Sequence, residues 1–142
     1  MALRRWLPVL ALSLLIAACS SSGGAGSTEN GPRTIAVSMS DELRFEPGAF
    51  TVAAGETVRF EVTNEGQSVH EFLIGDEAAQ AEFEEAMQGE MDHGSDAGIS
   101  LDPGESGSFE YVFDDASAEL LAGCHEPGHY DGGMVAAITV SE

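Results

Sequence analysis

From residue 34 onward the apolar positions fall in short runs separated by turn residues. Thr34-Ile35-Ala36-Val37-Ser38-Met39 alternates imperfectly and predicts a first strand. Leu43 to Phe45 is a short second element, Glu46-Pro47-Gly48 a turn, and Phe50-Thr51-Val52 extended chain again. After the turn Ala54-Gly55-Glu56, the residues Val58, Phe60 and Val62 point one way while Arg59 and Glu61 point the other. That period of two marks a strand with one wet face. Asn64-Glu65-Gly66 turns the chain, and Val69 to Ile74 is extended.

The period changes at Asp76. Ala79, Phe83 and Met87 are four apart, with Glu82, Glu84 and Glu85 between them. This predicts one amphipathic helix over Glu77 to Gln88 with Asp76 as its N-cap. Gly89 to Gly98 reads as a polar loop and Asp102-Pro103-Gly104 as a turn. Phe109, Tyr111 and Phe113 restore the alternation, Glu119 to Gly123 is a strand leading into Cys124, and Val135 to Val140 closes the chain. About seven or eight short strands at this spacing, with Gly/Pro turns, predict an all-β sandwich carrying one inserted helix.

Composition narrows the function. Of 142 residues, 25 are acidic and five basic, with no lysine. A formal charge of −20 repels nucleic-acid phosphates, so a nucleic-acid-binding role is excluded. Seven Phe and two Tyr, with 43% apolar residues, suffice for one compact core despite the charge.

The first 18 residues stand apart. Arg4 and Arg5 precede an apolar stretch, Leu7 to Ala18, which ends in Ile16-Ala17-Ala18-Cys19. This reads as an export signal closing on a lipoprotein box, with Cys19 as the lipid-bearing N-terminus of the mature chain. The run is too short for a permanent membrane span. Residues 19–33 are a Ser/Gly-rich tether and residues 34–142 the folded domain. Without residues 1–18 the only cations are Arg33, Arg44 and Arg59 against 25 acids, a formal −22. With Cys19 lipidated, Cys124 has no disulfide partner, and an exported protein with one leftover thiol needs a use for it.

That use lies in Gly123-Cys124-His125-Glu126-Pro127-Gly128-His129-Tyr130-Asp131-Gly132-Gly133-Met134. Cys124, His129 and Met134 are each five apart, and Pro127-Gly128 and Gly132-Gly133 fold the chain between them. A loop of this kind can curl its three side chains around one point. Thiolate, imidazole and a weak thioether suit copper cycling between Cu(I) and Cu(II). A trigonal Cys-His-His plane needs a second imidazole, and His70, on the extended segment Ser68 to Phe72, is the candidate. A zinc site of one cysteine and two histidines is chemically feasible but gives Met134 no role.

These pieces resemble the cupredoxins, the small blue copper proteins of the plastocyanin and azurin type. The resemblance rests on Asn64 to Gly75, around Val69-His70-Glu71-Phe72, and on Cys124-x4-His129-x4-Met134 with Pro127-Gly128 before the histidine. It covers residues 34–142. It implies a cupredoxin-like Greek-key β-sandwich and one type 1 copper per chain. His70, Cys124 and His129 would be ligands and Met134 the weak axial ligand. Members of the family place an asparagine or serine just after the upstream histidine; here it is Glu71. The expected function is single-electron transfer between membrane or exported redox proteins by a monomer anchored outside the cytoplasmic membrane, with no enzyme activity. The downstream histidine passes the electron in that family, which points to His129 with Tyr130 near the docking face. The strongly acidic chain implies a partner presenting positive charge, or one docking through an uncharged patch.

The alternative function is copper carriage or buffering. It draws on Met87, Met91 and His93, a second group of soft donors for a weak Cu(I) site. His125, next to Cys124 on extended chain, points away from it and reads as a surface or supporting histidine rather than a ligand. No phosphate loop or Gly-x-Ser-x-Gly motif is present.

Overall fold

The computed structural model describes residues 31–87, 97–115 and 119–142. Among them, nine strands and one helix follow in the order β1 (Arg33–Ser40), β2 (Arg44–Glu46), β3 (Ala49–Ala53), β4 (Glu56–Asn64), β5 (His70–Gly75), α1 (Glu77–Met87), β6 (Gly98–Leu101), β7 (Ser106–Phe113), β8 (Leu120–Gly123) and β9 (Val135–Ser141). One sheet has the order β2-β1-β4-β7 and the other β3-β9-β8-β5-β6. β1 runs parallel to β4 and β3 parallel to β9, while the other pairs are antiparallel. Neighbours so far apart in sequence make this a Greek-key sandwich, the expected fold class.

The alternation read along β4 is the one observed. Val58, Phe60 and Val62 are buried and Glu61 is exposed. Phe60 sits at the centre of the core, its ring 5.4 Å from Phe72 of the opposite sheet, 5.6 Å from Phe50 and 5.4 Å from Phe109. Each such side chain, fully buried, contributes about 1.5–3 kcal/mol. These contacts span both layers and involve none of the expected metal donors.

β5 is buried along its whole length because both its faces are covered. The sandwich core lies on one side. On the other lies α1, whose Asp76 Oδ1 accepts the Ala79 N–H at 2.9 Å as its N-cap. Gln80 is the buried residue of the helix among the side chains described. Its Nε2 donates to the carbonyls of Leu73 (3.2 Å) and Leu121 (3.1 Å), tying α1 across β5 and β8. Gly75 makes the approach close, since a Cβ there would stand 2.7 Å from that of Ala79.

One feature differs from the sequence reading. The helix is followed by β6, which pairs with β5 through His70↔Leu101 to Leu73↔Gly98. Four residues are too few to show a period. The helix is described to Met87, and Gln88 with most of the expected 89–98 loop lies outside the described residues. So do Met91, His93 and the Met87 side chain, the proposed second soft-donor group, and Cys19 with its leader.

Candidate metal centre

β8 and β9 are antiparallel, and the pair Gly123↔Val135 closes a loop of residues 124–134 between them. The loop is held by its own backbone. Cys124 N–H donates to Met134 O (3.2 Å) and Met134 N–H to His129 O (3.0 Å), which links the three expected ligands of this segment. His129 N–H donates to Glu126 O (2.9 Å) and Gly132 N–H to Gly128 O (3.0 Å). Gly128 (φ 82°) and Gly133 (φ 93°) occupy left-handed backbone that other residues rarely adopt. The Gly/Pro spacing seen in the sequence is thus the geometry that curls the loop.

His70 opens β5, and Cys124 continues β8, the strand beside it. Cys124 Sγ lies 3.3 Å from His129 Nδ1 and 3.9 Å from His70 Nδ1. The donor atoms of the three residues all fall within 4.8 Å of one another. His70, Cys124 and Met134 are completely buried, and His129 is half-buried. The structure therefore brings His70, Cys124 and His129 together and sets Met134 on the same loop, its backbone bonded to both neighbouring ligands. Cys124 is a free thiol. One sulfur and two imidazoles converging in a buried site fit copper, and the buried thioether favours it over zinc.

Electrostatics matches that use. Burial pushes the Cys124 thiol up to about 11, against partial relief from the backbone N–H groups of Glu71 and Glu126. A metal ion must therefore displace a proton to gain its thiolate. Burial and the neighbouring His70 ring hold the His129 imidazole below its ordinary range, which keeps its lone pair available at neutral pH.

The supporting residues were less legible. Glu71 is buried, its backbone N–H donates to Cys124 Sγ at 3.4 Å, and its Oε2 accepts the His125 N–H at 3.3 Å. It thus ties β5 to both Cys124 and the residue after it. His125 points away from Cys124 as expected but is not on the surface: it is 1% exposed. Its Nδ1 faces Glu84 Oε2 (2.9 Å), its Nε2 faces Gln80 Oε1 (2.7 Å), and its ring stacks on Tyr130 at 4.6 Å. The helix covers it, and the sequence carried no sign of that packing. Gly123 leaves room for both neighbours, since a Cβ on it would lie 2.6 Å from Gln80 Oε1 and 2.8 Å from the Tyr130 ring.

Asn64 and Asp41 were also missed as parts of the site. Asn64, buried at the end of β4, donates from Nδ2 to Ser68 O (2.8 Å) and Leu101 O (3.0 Å) and accepts the Gly66 N–H (2.9 Å). Asp41 accepts the N–H groups of Gln67 and Ser68, and the Gln67 bond foremost holds its carboxyl below the usual range. Asp41 Oδ1 also lies 3.2 Å from His70 Nε2. A signal for Asn64 existed in the Asn-x-Gly turn, whereas Asp41 is remote in sequence from every ligand.

A fold of this topology around one cysteine and two histidines defines a cupredoxin. The model of the cupredoxin-like domain family matches residues 9–122, and the chain belongs to that family. Among its relatives, the copper-resistant cuproprotein CopI of Rubrivivax gelatinosus is 36% identical over 120 residues, covering 83% of this chain and 72% of that protein. CopI of Pseudomonas aeruginosa is 33% identical over 139 residues, covering 76% of each. Among solved structures, reduced auracyanin from Roseiflexus castenholzii superposes with a TM-score of 0.64 at 26% identity, over 79% of this chain and all of that one. Auracyanin B gives 0.65 at 24% identity, over 84% of this chain and 97% of that one, a likeness of fold alone.

Proposed function

We propose that this chain is a type 1 copper protein, holding one copper ion through His70, Cys124 and His129 with Met134 as weak axial ligand, and cycling it between Cu(II) and Cu(I). The observation that carries this reading is the convergence of three donors from two separate elements, already within 4.8 Å of one another. Bonds from Glu71, Asp41 and the loop backbone hold these donors in place. A site held this way limits rearrangement between oxidation states, which favours electron transfer. Four donors complete the coordination, which supports a carrier rather than an enzyme. The test is reconstitution with Cu(II): an intense visible thiolate-to-copper band is expected, lost in Cys124→Ser. A colourless Cu(II) protein rejects the type 1 site.

Two physiological roles use such a site. One is electron transfer between exported or membrane-bound partners by a monomer tethered through lipid on Cys19, with His129, the half-buried ligand, as the exit. The other is copper handling outside the cytoplasm, favoured by the names of the CopI relatives, which are copper-resistance proteins. Electron self-exchange and copper transfer decide between them. Copper retained through many redox cycles with fast self-exchange supports the electron carrier; rapid loss of Cu(I) to an acceptor supports copper handling.

A further inference from the structure

Asp41 stands on the turn between β1 and β2, 29 residues before His70, and is no candidate ligand. Its carboxylate nevertheless faces the ring from behind. Oδ1 is 3.2 Å from His70 Nε2, while His70 Nδ1 is the nitrogen directed at Cys124 Sγ. The same carboxylate is itself anchored, accepting the Gln67 N–H on Oδ2 (2.7 Å) and the Ser68 N–H on Oδ1 (3.1 Å). So the carboxylate is fixed to the segment that leads into the ligand strand.

A second observation points to the same pair. Gly66 is buried against it: a Cβ on Gly66 would stand 2.5 Å from Asp41 Oδ1 and 2.9 Å from His70 Nε2. Any side chain there pushes between the carboxylate and the ring. The site thus includes a glycine whose lack of a side chain leaves room for one hydrogen bond to a ligand.

An imidazole that binds a metal through Nδ1 must carry its proton on Nε2, and an acceptor at Nε2 selects that tautomer. A carboxylate acceptor also makes the ring a stronger donor and places negative charge behind it, which stabilises the more highly charged metal state. We propose that Asp41 is a positioning and tuning residue of the copper site, fixing the His70 tautomer and favouring Cu(II) over Cu(I), with Gly66 as the residue that makes the contact available. This rests on the copper reading of His70. Because Asp41 is 43% exposed, water screens part of its charge, and the effect is modest.

The experiment compares wild type with Asp41→Asn, Gly66→Ala and the control Glu65→Gln. The control removes one exposed negative charge nearby. Two readouts are taken: the reduction potential of the copper-loaded protein, and nitrogen-15 NMR of the His70 ring in the metal-free protein. Asp41→Asn should keep the visible band and lose about tenfold in Cu(II) affinity relative to Cu(I), an upward shift of about 59 mV. Gly66→Ala should shift it the same way, and Glu65→Gln much less. Wild-type His70 should carry its proton on Nε2 in the metal-free state, with that preference weakened in the first two variants. Equal potentials in wild type and Asp41→Asn, or a shift as large in the control, overturn the tuning role. An unchanged His70 tautomer in both variants overturns the positioning role. A wild type without the visible band rejects the copper reading and the tuning role with it, while the NMR arm still decides the Asp41–His70 pair.

Discussion

The backbone N–H of Glu71 points at the sulfur of Cys124 from 3.4 Å, across the boundary between two strands. The residue that follows one expected ligand therefore supports the next. Its side chain does the same for the backbone beyond, through the His125 N–H. An asparagine or serine is expected at this position in the family, and here the longer carboxylate reaches the same stretch of chain.

Glu71→Ala should leave the His125 N–H without that acceptor inside the protein. A buried donor in that state costs about 1–3 kcal/mol. Denaturant unfolding of the metal-free variant should show this loss. The copper-loaded form should keep its visible band, because the backbone N–H that reaches the Cys124 sulfur is retained in the variant.

His125 is expected to matter for stability and not for coordination. Both ring nitrogens face acceptors on α1. His125→Phe keeps the stack on Tyr130 and removes both polar contacts. The variant should bind copper with its visible band intact and lose about 1–3 kcal/mol of stability. Hydrogen exchange should locate that loss in α1. Disappearance of the band would instead make His125 a ligand.

Metal uptake should depend on pH with a definite sign. Below the Cys124 value of about 11 the thiol is protonated, so each bound ion releases one proton. Apparent affinity should fall roughly tenfold per unit of falling pH through the neutral range. Because His129 is held below its ordinary range, the slope should steepen only in more acidic solution, where that ring also takes a proton. Competition titrations against a chelator at several pH values measure this slope.

At the start of β1, Arg33 grips Glu56 through Nε (2.6 Å) and a second guanidinium nitrogen (3.0 Å), and Glu56 also accepts the Ala53 N–H. The Arg33 bond foremost holds the Glu56 carboxyl below its ordinary range. A carboxyl lowered in the folded state stabilises it above the unfolded value. That contribution disappears as pH falls through the folded one. Glu56→Gln should cost about 0.5–1 kcal/mol at neutral pH, given the exposure of the pair. The difference from wild type should vanish in acid, as thermal unfolding across pH would show.

Local pattern carried much of this fold. The alternation Val58/Phe60/Val62 fixed a face, and Asp76 marked the start of α1 before any contact was known. The ligand loop was legible because its glycines, proline and three donors are contiguous. What stayed hidden depended on distant pairing. β6 shows itself only against β5, and His125 becomes interior only once Gln80 and Glu84 lie over it. Asp41 joins the site because β1 runs parallel to β4, so that the turn after Ser40 arrives beside the turn after Asn64. No spacing rule within one segment reports such an encounter.

The parallel register of β1 and β4 also sets a polarity for the whole molecule. Arg33 is level with Val58 and Met39 with Asn64, so β1 begins at one pole of the sandwich and delivers Asp41 to the other. At about 3.3 Å per residue that strand spans some 25 Å. The chain before Arg33 thus departs from the pole opposite His70. Were the chain anchored ahead of residue 31, its attachment would leave from the pole away from His129, and a partner would reach the metal-bearing end without displacing the anchor.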